Sequence, residues 1–240
     1  MLKFVVPILN PLILFVTWWL FFETQQGITW IIAVFVLTIL ISARILAGNR
    51  FIQYKLLWIN LITVYISQFL FLLLATSNNV RYGLAFLLAV VWAIIWWLLK
   101  NYFQNLKEVS QLDYLSFNRF FYYLGFWFLI TSLYALIIFL NLSPWIAISL
   151  AAVVAWLWVR DIIRIVALTS QAYTWFIMLV LVQILAILYL LPISFYVTGT
   201  IATLWLFFII DSAISDHRYF KRYLSLFLLS IIILIFTAII

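Results

Sequence analysis

No cysteine occurs anywhere in the 240 residues. That excludes disulfides, thiolate metal sites and a thiol nucleophile, and it leaves the redox compartment unread. Histidine occurs once, as His217. Haem needs His, Cys or Met ligands in the core, and zinc or di-iron centres need clusters of His and carboxylates. One His at the edge of an apolar run supplies neither. Charge is scarce as well, with 13 Lys plus Arg and 6 Asp plus Glu making up 8% of the chain. A soluble domain has roughly a quarter of its residues charged, so this chain must find its solvent in lipid. Every Lys stands near the end of an apolar run, which removes the mid-span lysine that a retinal Schiff base requires. No cofactor, metal or nucleic-acid partner is expected.

What the chain has in abundance is apolar bulk: 70% hydrophobic residues, among them 23 Phe, 13 Trp and 13 Tyr. About 20 consecutive apolar residues cross a bilayer core as a helix, and such runs recur from end to end. They predict an all-α, polytopic integral membrane bundle, one transmembrane domain over 1–240. Nine spans are expected, at 4–22, 28–43, 56–76, 84–99, 120–140, 144–159, 173–191, 195–210 and 223–240. The first lacks the small-residue cleavage site of a signal peptide and is read as a mature helix. The stretch 173–210 carries no charge. As one helix it would run about 57 Å, nearly twice the hydrocarbon thickness, so it must fold back near Pro192.

The bases test this division independently. With nine spans, Lys3, Arg44, Arg50, Lys55, Lys100, Lys107, Arg119, Arg160, Arg164, Arg218, Lys221 and Arg222 share one side, and Arg81 alone is on the other. The positive-inside rule then puts the N-terminus in the cytosol and the C-terminus outside, in the cell (inner) membrane. One leading helix and four hairpins result, with outer connections too short for a folded domain. The Asn141, Leu142, Ser143 triplet precedes Pro144 and lies tight against the membrane, a poor glycosylation site. On the inner side, Leu106, Val109, Leu112 and Leu115 recur at helical spacing, which predicts an interfacial helix over 103–116. Two inner segments, from Asn49 and from Asn118, share Asn, Arg, Phe, Tyr and Trp at equal offsets. Inner bases followed by interfacial aromatics explain that likeness without a true repeat.

Few side chains remain for chemistry. No ionisable group falls in the middle of a span, which argues against a proton or sodium pathway. Asn60, Thr63, Ser67 and Gln68 on the third span and Gln183 on the seventh are the candidate polar residues of the bundle interior, and hydrogen bonding between helices is their commoner use. Pro7 and Pro11 flank Asn10 and bend the first helix or free its carbonyls. Arg160 and Arg164, four apart on one helix face, form a candidate clamp for an anionic headgroup, joined by Arg218, Lys221 and Arg222. Asp161 and Asp211 are candidates for a buried or interfacial ion pair. Asp211 ends an apolar run where the helix dipole disfavours an anion, so Arg160, Arg164 or Arg218 is its expected partner. Asp216 reads as the N-cap of the last helix.

Two functions fit these residues. The first is a non-catalytic membrane subunit or scaffold that packs with lipids, with copies of itself or with another membrane protein. The second is a carrier or enzyme for a lipid-linked or amphipathic phosphate-bearing molecule at the cytosolic leaflet. The acid-rich motifs of membrane phosphotransferases are missing, so an enzyme is the lesser expectation.

Overall fold

A computed structural model describes residues 2–24, 27–104, 111–165, 171–191 and 193–214, together with 224, 225, 228, 231 and 232. Among the described residues every element is a helix: α1 Leu2–Thr24, α2 Ile28–Ala47, a 3₁₀ helix Gly48–Tyr54, α3 Lys55–Leu73, α4 Asn78–Gln104, α5 Gln111–Leu140, α6 Pro144–Ile165, α7 Gln171–Leu190 and α8 Phe195–Ile214. Among the described residues four stretches are long and apolar enough to cross a membrane: Lys3–Thr24, Ile28–Tyr54, Asn78–Gln104 and Arg119–Leu140. Shorter apolar helices cover Leu57–Leu73, Pro144–Arg160, Thr174–Leu190 and Phe195–Ile210. Most of the run 223–240 lies outside the described residues. Of the stretch 103–116, residues 103 and 104 end α4, 111–116 begin α5, and 105–110 lie outside the described residues.

The chain forms two compact units, Met1–Phe121 and Tyr122–Ile240, with the boundary inside α5. In the first, α1 packs on α2 and α4, and α2 packs on α3. α1 passes through both Pro7 and Pro11 without a break. Its buried face is Val6, Asn10, Leu14 and Trp18, spaced by four, whereas Ile8, Leu12 and Val16 are exposed. Apolar outside and partly polar inside reverses the order of a water-soluble helix. A contiguous apolar exterior of this kind is matched to lipid.

Two short motifs shape the ends of this unit. Gly48 ends α2 at φ 56° and ψ −124°, and its N–H donates to the Arg44 carbonyl. An L side chain is strained in that conformation, so glycine is what lets the chain turn into the 3₁₀ helix. There the Trp58 indole donates to the Phe51 carbonyl at 3.0 Å, and the two rings stack. At the opposite end, Arg81 donates to the Ala75 carbonyl at 2.7 Å and lies over the Phe22 ring, while the Tyr82 hydroxyl donates to Glu23 at 2.7 Å. The segments from Asn49 and Asn118 differ in backbone: the first is 3₁₀ up to Tyr54 and then enters α3, and the second lies inside α5.

In the second unit α7 packs on α6 and on α8. α5 stacks on α6 through Tyr122 and Trp158 and reaches α7 through a hydrogen bond from the Tyr134 hydroxyl to the Leu185 carbonyl. Along α8 it is antiparallel, with Tyr123 against Phe207, Trp127 donating to Thr200 at 3.0 Å, and Phe139 against Phe195. Small residues permit this approach: a Cβ added to Gly199 would run into the Thr131 hydroxyl, side chain and backbone. Helices in lipid gain little from burying apolar surface, so close backbone packing at small residues carries more of their association.

Gly199→Leu is therefore expected to destabilise the protein by about 1–3 kcal/mol, the usual range for overpacking. Unfolding in mild detergent, followed by circular dichroism, checks this, and an unchanged transition would contradict the packing at Thr131.

Candidate functional site

In the first unit, polar side chains converge where four helices meet. Asn10 comes from α1, between the two prolines, and is 1% exposed. Its amide nitrogen donates to the Ser42 hydroxyl of α2 at 2.8 Å, and more weakly to the Thr38 carbonyl at 3.4 Å. Its amide oxygen accepts from the Tyr65 hydroxyl of α3 at 2.6 Å, and that hydroxyl accepts from the Trp96 indole of α4 at 2.8 Å. Further along α3, Gln68 accepts from the Trp92 indole at 2.6 Å. Tyr65 and Trp92 also meet ring to ring, with centroids 3.9 Å apart. Phe35 joins them from α2, edge-on to Trp18, Tyr65 and Phe69. With no water in the hydrocarbon region, each polar group must find its partner in the protein.

These groups are amides, hydroxyls and indoles, and none of them titrates near neutral pH. The arrangement can orient and hold, but it does not offer an acid or a base. Three buried donor nitrogens, those of the Trp18 indole and of the Asn60 and Gln68 amides, have no acceptor among the described residues. Among the described residues no three His, Cys, Asp or Glu side chains group as metal ligands. Lys100 is buried near the end of α4, its ammonium 4.0 Å from the centroid of the Phe4 ring.

The second unit carries a groove between α6 and α7. Ala152, Val153 and Trp156 line it from one helix, and Trp175, Met178, Leu179 and Val182 line it from the other, enclosing about 610 Å³. Trp156 and Trp175 also border a recess of about 220 Å³ closed by Arg160 and Thr174. The Arg160 guanidinium lies 5.1 Å from the centroid of the Trp156 ring.

The polar residues singled out in the sequence fall into distinct places. Asn60, Ser67 and Gln68 are buried, and Thr63 is half-buried. Thr63 and Ser67 each spend their hydroxyl on the carbonyl four residues back, Ile59 and Thr63 respectively. Gln183 is exposed on α7. Arg160 is exposed at the head of the groove. Asp161 and Arg164 lie on α6 and Asp211 on α8, but their side chains lie outside the described residues, as do Arg218, Lys221 and Arg222 altogether. Of the node residues, Tyr65 and Trp96 escape a reading based on amides and small hydroxyls in apolar runs. The signal that finds them is that Tyr and Trp in mid-span must place an O–H or N–H. Compared with known protein families, curated proteins and solved structures, the chain matches none.

A double-mutant cycle tests the node. Asn10→Leu and Tyr65→Phe are expected to show a coupling energy of about 0.6–1.7 kcal/mol, the range for interhelical hydrogen bonds in membrane proteins. Reversible unfolding of the four proteins in detergent measures it, and additive effects would contradict the bond.

Proposed function

We propose that the chain is a non-catalytic, multi-pass membrane subunit or scaffold, in which a rigid helical bundle presents apolar and aromatic faces to lipid, to a second copy or to another membrane protein. The observation that carries this reading is the Asn10 node. Its polar groups are turned on one another across four helices, which is what a load-transmitting core needs and what a solute path would leave free. Large aromatics stand outward instead: Phe4, Trp19, Phe86, Trp97, Trp145 and Trp175 are all exposed. Such rings bring much contact area with little rotamer entropy to lose, and they suit packing against a partner.

The topology belongs to the same proposal: nine spans, N-terminus in the cytosol, C-terminus outside, in the cell membrane. The turns after α1, α3, α5 and α7 then face out, and the basic ends face in. The second reading, a carrier or enzyme for a phosphate-bearing amphipath, draws support from the α6–α7 groove with Arg160 at its head.

Native mass spectrometry of gently solubilised protein separates the two readings. A stoichiometric partner or homo-oligomer is expected, and a protein that stays monomeric and without a protein partner, with or without bound lipid, would overturn the scaffold. Because the chain has no cysteine, its topology is open to single-cysteine labelling. Ser77→Cys and Ser143→Cys are expected to react with an impermeant maleimide on intact cells, and Asn49→Cys and Gln104→Cys only after permeabilisation. Labelling of both pairs from one side would refute the orientation.

A further inference from the structure

The groove between α6 and α7 is a concave stretch of the apolar exterior with one charged end. Its volume of about 610 Å³ falls within the roughly 300–1,000 Å³ of small-molecule sites. Met178, 6% exposed, lies at its floor, and Val153, Trp175 and Leu179 form exposed rims. Methionine is a pliable wall for a flexible chain. From Ala152 to Arg160 the helix rises about 12 Å, which fits within the ~15 Å of hydrocarbon in a single leaflet.

At the head of the groove the chemistry changes. Arg160 and Thr174 close the recess that Trp156 and Trp175 share with the groove. Thr174 is buried and lines the recess from α7, as Arg160 does from α6, and its hydroxyl is a hydrogen-bond donor. Among the described residues the partner of Arg160 is the face of Trp156. A ring face holds the guanidinium plane in place and leaves its N–H edge free for a bidentate acceptor.

We propose that this groove seats one acyl chain of an anionic phospholipid of the surrounding bilayer, with the lipid phosphate at Arg160 and Thr174. A zwitterionic lipid would bring its own cation towards Arg160, so the site favours a headgroup of net negative charge. The inference stands whether or not the chain has a protein partner.

The test uses the full chain in mild detergent, with dioleoyl phosphatidylglycerol and dioleoyl phosphatidylcholine titrated separately and retained lipid read by native mass spectrometry. The wild type is expected to hold one phosphatidylglycerol about tenfold more tightly than phosphatidylcholine. Arg160→Gln should remove that preference and Arg160→Lys restore part of it. Val153→Trp, which fills the groove and leaves Arg160 in place, should abolish retention of both lipids. Phosphatidylglycerol bearing a photoactivatable acyl chain should label residues 152–160 and 174–182 of the wild type, a readout that needs no variant to fold. Equal retention of the two lipids by the wild type, labelling elsewhere, or retention of inorganic phosphate in place of lipid would each overturn the proposal.

Discussion

The hydrogen bonds of Asn10 are the interaction on which the first unit depends. One side chain from α1 donates to Ser42 on α2 and accepts from Tyr65 on α3, and Tyr65 passes the link to Trp96 on α4. In water each of these groups would have an alternative partner, and the net value of the set would be modest. In lipid the alternative is an unsatisfied group, and the node fixes which helices are neighbours and at what depth. The aromatic rings around it obey the same depth: Phe35 touches both Tyr65 and Phe69, and Phe69 touches Phe21 on α1.

The second unit meets the same constraint differently. Its hydroxyls mostly return to their own helices: Ser132 donates to the Phe128 carbonyl, Thr198 to that of Ser194, and Thr203 to that of Gly199. Two bonds cross between its helices, Trp127 to Thr200 and Tyr134 to the Leu185 carbonyl, and the rest of the association rests on shape, on Gly199 against Thr131 and on the buried Ala147, Ala151 and Ala155 of α6. A unit held by shape leaves concavities where shapes diverge, and the α6–α7 groove is such a place. Directional bonds thus weigh more in the first unit and close packing more in the second.

How much of this was legible in the sequence varies with the range of the interaction. Apolar runs are local, so the helices at 4–22, 28–43, 120–140 and 195–210 lie inside the observed α1, α2, α5 and α8. The 3₁₀ helix at Gly48–Tyr54 was not foreseen, because it depends on one glycine's φ. In the sequence Asn10 stands out only for the prolines around it, which bend the helix or free its carbonyls, whereas in the fold its own side chain is the feature that matters. Asn60 and Gln183 look equivalent in the sequence, both amides in apolar runs, yet one is buried and the other exposed. Only tertiary packing distinguishes them. The groove could not be read at all, since its walls come from two helices whose facing sides are set by the fold.

The account's central claim is that buried Tyr, Trp and Asn groups hold the first unit together by bonding one another. The most direct measurement is hydrogen exchange of indole N–H groups, by NMR on ¹⁵N-tryptophan-labelled protein in bilayers. The account predicts that Trp92 and Trp96, both bonded and fully buried, exchange far more slowly than Trp145, which is 72% exposed. Exchange at Trp96 as fast as at Trp145 would contradict it.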